Sequence, residues 1–115
     1  LQLRKPLKMS RALSNLGLAM RAGKIVTGEE IVLKAVRSAQ AKLVLLAEDA
    51  SDNTQKKFRD KCGTYNIPLV IGFSRDILGA SIGKDSRVVL AVTDKGFAEM
   101  ISKQLGDNVG GGIID

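Results

Sequence analysis

A three-layer α/β/α sandwich around a central four-stranded mixed sheet, within the α/β class, is the fold this sequence predicts. Short apolar runs of strand length alternate with stretches of helical periodicity from one end to the other. One of those runs, Leu43-Val44-Leu45-Leu46-Ala47, is apolar without interruption, as a strand covered on both faces requires. The length of 115 residues suits one domain, and with 44% apolar residues the core needs no cross-link. Three Phe, one Tyr and no Trp leave that core to Leu, Ile, Val and Ala.

The elements follow in order. Leu13, Leu16, Gly17 and Met20 fall at i, i+3, i+4 and i+7, a helical stripe that stops at Gly23. Ile25-Val26-Thr27 reads as a short strand. Thr27-Gly28-Glu29-Glu30 then has the form of a capping box, with Thr27 as N-cap and Glu30 at the third helical position. The helix it opens runs to Ala39 with Ile31, Val32, Ala35, Val36 and Ala39 on its apolar face. After the central run, Glu48-Asp49-Ala50-Ser51-Asp52 is a polar connection that ends in a helix cap. Phe58, Cys62 and Tyr65 mark the next helix, Pro68 closes it, and Leu69-Val70-Ile71 is the third strand. Ser74 caps a short helix that carries Ile77, Leu78 and Ile82 and ends at Gly83. Arg87 to Val92 is the fourth strand, and Asp94 caps a last helix with Phe97, Met100, Ile101 and Leu105, stopped by Gly106. The expected organisation is a basic arm over 1–11, one domain over 12–105 and a flexible glycine-rich tail over 106–115.

The net charge is +6, and its location matters more than its size. Residues 1–24 hold Arg4, Lys5, Lys8, Arg11, Arg21 and Lys24 with no Asp or Glu, which accounts for the whole excess. One-sided basic charge suits a polyanion partner, and it also suits a solvated arm; composition leaves both open. Cys62 is the only cysteine, so no disulfide can form within the chain and a reducing, cytoplasmic setting is expected. No apolar run reaches the roughly 18 residues of a membrane span. The basic start is followed by no apolar stretch of the secretory kind.

Catalysis has little to work with. The chain has no His, and with it the usual general base near neutral pH is missing. Cys62 has no base beside it and falls on a helix face expected to be buried. Only Glu29-Glu30 and Glu48-Asp49 offer adjacent carboxylates. Gly79-Ala80-Ser81-Ile82-Gly83-Lys84-Asp85 fails as a phosphate loop. Three residues rather than four separate its glycines, and an acidic residue follows the Lys. No enzyme, cofactor, metal or small-molecule substrate is expected.

Two segments can bind. At the first, Gly28 opens a helix, where free backbone N–H groups and the positive dipole end favour an anion and a missing side chain allows close approach. Lys24 precedes it, Lys34 and Arg37 lie three apart on one helix face, and Glu29 or Glu30 can accept hydrogen bonds from base edges. The same stretch also reads as a capped amphipathic helix with a charged outer face. The second is Gly83-Lys84-Asp85-Ser86-Arg87, a loop between helix and strand with two cations and a hydroxyl, able to hold a splayed nucleotide or simply to connect. A protein–protein interaction module on the same fold stays open as an alternative.

The order of these segments resembles a known family. Gly28-Glu29-Glu30-Ile31-Val32-Leu33-Lys34 is followed by Ala41 to Ala50, then Asn66-Ile67-Pro68, then Leu78 to Lys84, then Arg87 to Val92. Each is weak alone, but five in order over residues 12–105 resemble the kink-turn-binding ribosomal proteins that include archaeal L7Ae and eukaryotic L30e, most of all their bacterial YlxQ-type branch. The resemblance implies a three-layer α/β/α fold and non-catalytic binding of structured RNA, typically a kink-turn, with the ribosome as a possible partner. By that likeness Gly28 matches the family Gly at the helix start, Thr27 precedes it, and Lys34 matches the family Lys. Gly83, Lys84, Asp85, Ser86 and Arg87 form the loop around an extruded nucleotide. Glu48 and Asp49 match an acidic pair near the same surface. The chain departs at one place: kink-turn binders carry Asn-Glu where Glu30 and Ile31 stand here.

Overall fold

The computed structural model describes the backbone of residues 4–114 and the side chains of residues 9–106. The elements are α1 (Arg4–Arg21), β1 (Ile25–Thr27), α2 (Glu29–Arg37), β2 (Leu43–Ala47), α3 (Asp52–Tyr65), β3 (Leu69–Gly72), α4 (Arg75–Ser81), β4 (Val89–Val92) and α5 (Lys95–Ile114). The sheet runs β1-β4-β2-β3. β4 is antiparallel to both β1 and β2, and β2 is parallel to β3, so the sheet is mixed as expected. Its two central strands, β2 and β4, are buried along their whole length.

The three layers follow from strand alternation, which sends successive side chains to opposite faces. Leu43, Leu45 and Ala47 of β2 and Leu90 and Val92 of β4 meet Leu16 of α1, Leu78 of α4 and Ile101 of α5. Val44, Leu46, Val89 and Ala91 meet Val32 and Val36 of α2 and Phe58 and Cys62 of α3 on the other side. The α1–α5 pair is also joined by the Asn15 amide, which donates to Gln104 Oε1 at 3.0 Å.

Several expectations need correction. No capping box forms: Gly28 is the N-cap of α2, and the Thr27 hydroxyl instead donates to the Val89 carbonyl at 2.7 Å across the sheet. Ile31 and Ala39, expected on the apolar face of α2, are exposed, and Leu33 is buried in their place. The face that α2 packs into the core is Val32, Leu33, Ala35 and Val36. Tyr65 and Met100 are likewise exposed. Arg87 and Val88 stand outside β4, because the Arg87 N–H bonds the Arg75 carbonyl at 2.9 Å rather than a strand neighbour.

The two ends also differ. α1 begins at Arg4, inside the stretch expected to be an arm, and Pro6 falls in its first turn, where a missing N–H costs no helical bond. Gly106 does not stop α5, which continues to Ile114. It lacks the left-handed φ of a helix-ending glycine, and one Gly inside a helix costs only about 1 kcal/mol. The side chains of the expected arm up to Lys8, and those of the expected tail beyond Gly106, lie outside the described residues.

Candidate nucleic-acid interface

Register decides which loops meet. Thr27 at the end of β1 pairs with Leu90 near the start of β4, and Leu46 near the end of β2 pairs with Val89. β3 runs parallel to β2 and ends beside it, with Ala47 opposite Gly72. Four segments therefore share one end of the sheet: the β1–α2 turn, the Glu48–Ser51 connection, the start of α4 and the loop from Gly83 to Val88. The candidate binding residues read from the sequence fall in the first, second and fourth of these, far apart along the chain, save Lys34 and Arg37 along α2 and Lys24 before β1.

The β1–α2 turn depends on glycine. Gly28 holds φ 101° and ψ 139°, a conformation that L side chains rarely adopt. Among the described residues no side chain caps this helix end. The first carbonyl taken is that of Gly28, by the Val32 N–H at 2.9 Å, so the amides of Glu29, Glu30 and Ile31 have no partner within the helix. Those amides and the helix dipole give the turn a fixed positive character. Glu30, Ile31, Lys34 and Arg37 form the exposed face of α2, with Ile31 at 56% exposure leaning toward Gly28. At 1.5 Å rise per residue, Lys34 stands about 8 Å along the axis from Glu29 and Arg37 about 12 Å. Glu29 is engaged by Lys57 of α3 at 3.3 Å. Both side chains are some 40% exposed, so the pair is worth at most about 1 kcal/mol.

The other three segments are tied to each other. Asp49 accepts the Arg75 N–H at 3.0 Å and pairs with the Arg75 guanidinium, which also donates to the Asp49 carbonyl at 2.6 Å. The Arg75 carbonyl in turn receives the Arg87 N–H, and Arg87 curls its guanidinium back onto the carbonyls of Ser86 and Asp85. The Glu48 N–H donates to the Phe73 carbonyl at 2.8 Å. The loop then rests on α4: Gly79 is buried beneath Asp85 and Ser86, and its carbonyl takes the Lys84 N–H at 2.9 Å. Gly83, Lys84, Asp85 and Ser86 are exposed above this contact.

The structure thus gathers Thr27, Gly28, Glu29, Glu30, Lys34, Glu48, Asp49 and Gly83 to Arg87 at one end, with Arg37 further down α2. It sets Lys24 apart, at the opposite end of β1, where its carbonyl takes the Thr93 N–H. The sequence reading missed Arg75, Lys57 and Gly79. Only Gly79 leaves a signal, as a glycine that a short helix holds at a cost of about 1 kcal/mol relative to alanine. At this end carboxylates and cations are interleaved, and the arrangement offers directed hydrogen bonds rather than a phosphate-dense patch. Among the described residues no group of three His, Cys, Asp or Glu could hold a metal ion, and no helix is long and apolar enough to cross a membrane.

Comparisons with known proteins agree with this architecture. The chain is 59% identical over 86 residues to the RNA-binding protein YlxQ of Bacillus subtilis, covering 75% of this chain and 86% of that protein. It is 35% identical over 95 residues to large ribosomal subunit protein eL30B of Schizosaccharomyces pombe, covering 77% and 78%. A solved structure from Bacillus halodurans, of a protein with unknown function, superposes with a TM-score of 0.80 at 48% identity, covering 82% of this chain and 95% of that one. Residues 10–102 match the model of the ribosomal protein L7Ae/L30e/S12e/Gadd45 family, and the chain belongs to that family.

Proposed function

We propose that this chain is a non-catalytic, ribosome-associated RNA-binding protein of the cytoplasm that recognises kink-turn-like structured RNA. The observation that carries the reading is the convergence, by strand register, of the uncapped α2 start with the Gly79-supported loop. A bent RNA presents a phosphate backbone and a splayed nucleotide within a short distance of each other, and RNA of this kind is read by shape and extruded bases. The amides of the α2 start meet the backbone, with Gly28 leaving room for it and Lys34 balancing its charge. Gly83 to Arg87 hold the splayed nucleotide, while Glu30 and Glu48 accept from base N–H edges.

The Glu30-Ile31 pair changes the recognition expected from the family pattern. Glu30 supplies a carboxylate where an amide is usual, and exposed Ile31 offers an apolar surface for the face of a base rather than a hydrogen bond to its edge. The names of the relatives support RNA as the partner, one being an RNA-binding protein and another a ribosomal protein.

The test compares a kink-turn hairpin with a straight duplex at about 150 mM salt, where surface charge is largely screened. Wild-type protein prefers the hairpin, and Lys34→Ala and Gly28→Asp each weaken it by about tenfold or more, the equivalent of about 1.4 kcal/mol. Equal affinity for hairpin and duplex refutes the reading.

A further inference from the structure

The end of the sheet opposite the recognition loops gathers cations which that site does not use. Ile25, Val92 and Leu43 lie side by side on β1, β4 and β2. Lys24 and Lys42 each stand one residue before their strand, so they flank the exit of β4. Both are anchored through the backbone: the Lys24 carbonyl takes the Thr93 N–H at 2.9 Å, and the Lys42 N–H donates to the Val92 carbonyl at 2.7 Å. Lys95 opens α5 just after β4. All three side chains are exposed. With strands about 4.8 Å apart, the ends of β1 and β2 set Lys24 and Lys42 roughly 10 Å apart on either side of β4, and Lys95 follows the exit of β4, its neighbour Asp94 being turned to the Phe97 N–H at 2.8 Å.

Beside these lysines lies an open hollow of about 610 Å³. Lys42, Lys95 and Lys103 border it, the Ser102 hydroxyl adds a neutral donor, and Pro68 and Ala98 supply apolar wall. Glu99 is the only carboxylate among the residues that line it. Like charges brought together repel unless an anion joins them. The ion pairs seen among the described residues lie elsewhere, at Lys57–Glu29 and Arg75–Asp49, and the Lys42 ammonium turns to the Ala39 carbonyl at 3.0 Å rather than to Glu99.

We infer that this end is a second anion site, which takes the phosphodiester backbone of an RNA segment separate from the one held by the recognition loops. The cations continue past the hollow to Lys24, and an extended set of cations complements a linear polyanion better than a compact one. The hollow is open, so a chain can pass through it, with sugars against Pro68 and Ala98 and phosphates at the lysines. The protein then bridges two RNA segments, one read for its shape and the other held by charge. This goes beyond recognition of kinked RNA, and the test separates the two.

The test titrates the full chain and its K42Q/K95Q/K103Q variant with a short straight RNA duplex across a salt series. Loss of three phosphate contacts lowers the slope of log affinity against log salt by about 2 to 3 and weakens binding by about tenfold near physiological salt. The variant melts like wild type, because its altered side chains are exposed. Wild type carrying one equivalent of an unlabelled kink-turn hairpin still takes up the duplex, seen as a ternary complex by sedimentation, and the triple variant does not. A variant with wild-type duplex affinity and slope overturns the inference, as does displacement of the duplex by a single equivalent of hairpin. Poly-glutamate binding as tightly as the duplex, or adenosine monophosphate competing as well as it, overturns the assignment to RNA. A hairpin that does not bind at all counts against kink-turn recognition alone, and the duplex titration of the variant still decides this site.

Discussion

Replacing Gly79 by alanine puts a methyl group where the loop before β4 already lies. The added carbon falls on the Asp85 carbonyl oxygen, 2.6 Å from its carbon and 2.9 Å from Ser86 Cα. These are backbone atoms and cannot rotate away, so the upper half of the usual overpacking cost applies, about 2 to 3 kcal/mol. Alanine regains about 1 kcal/mol of helix propensity, which leaves a net loss of about 1 to 2 kcal/mol. Gly63 of α3 is the control, since a methyl there meets nothing within 4 Å. Thermal unfolding followed by circular dichroism should show Gly63→Ala raising Tm by about 5 °C and Gly79→Ala lowering it by about 5 to 10 °C. Because the displaced segment is the one proposed to hold the extruded nucleotide, hairpin affinity measured by fluorescence anisotropy falls by at least about tenfold for Gly79→Ala. Gly63→Ala leaves it unchanged. Equal Tm shifts for the two variants, or undiminished hairpin binding by Gly79→Ala, refute the claim that the loop rests on this glycine.

Gly28→Ala forces an L side chain into φ 101°, with a loss of about 1 to 3 kcal/mol in chemical denaturation; an unchanged midpoint contradicts the observed turn. Thr27→Val keeps the β-branched shape and removes the hydroxyl that bonds the Val89 carbonyl, for a loss of about 1 kcal/mol, and hydrogen exchange at the β1–β4 edge quickens. Burial pushes the Cys62 thiol up from 9.0 to about 11, so the fold favours its neutral form. That contribution is whole below pH 9, where the unfolded thiol is also protonated, and is lost as pH rises through 11. Cys62→Ala therefore flattens the decline of stability across this window, and parallel pH profiles for the two proteins tell against a buried thiol.

The strands were the most legible part of the chain. β1 and β2 are bounded as their apolar runs suggest, because runs of three and five residues are too short for a helix and are flanked by glycine or polar residues. β4 was read two residues too long, since nothing local reveals that the Arg87 N–H bonds Arg75 instead of a neighbouring strand. The same limit explains α2. Thr27-Gly28-Glu29-Glu30 satisfies the local rule for a capping box, but a carbonyl 62 residues away takes the hydroxyl. The candidate binding residues are legible as types in segments, and the family resemblance orders them. Their meeting at one end, the loss of Lys24 to the other, and the Asp49–Arg75–Arg87 linkage all rest on sheet register, which pairs residues that sequence spacing does not connect.

The strand order carries a consequence for synthesis. β1 borders β4 alone in the sheet, and β4 is the last strand made. Until β4 slides between β1 and β2, the glycine turn has no sheet to hang from and the Thr27 hydroxyl has no acceptor. A growing polypeptide therefore cannot set the β1–α2 turn in place from the N-terminus onward. The end of the sheet where these loops meet is therefore assembled only after Val92 has been made, and a copy truncated before β4 lacks the β1–β4 pairing that sets it.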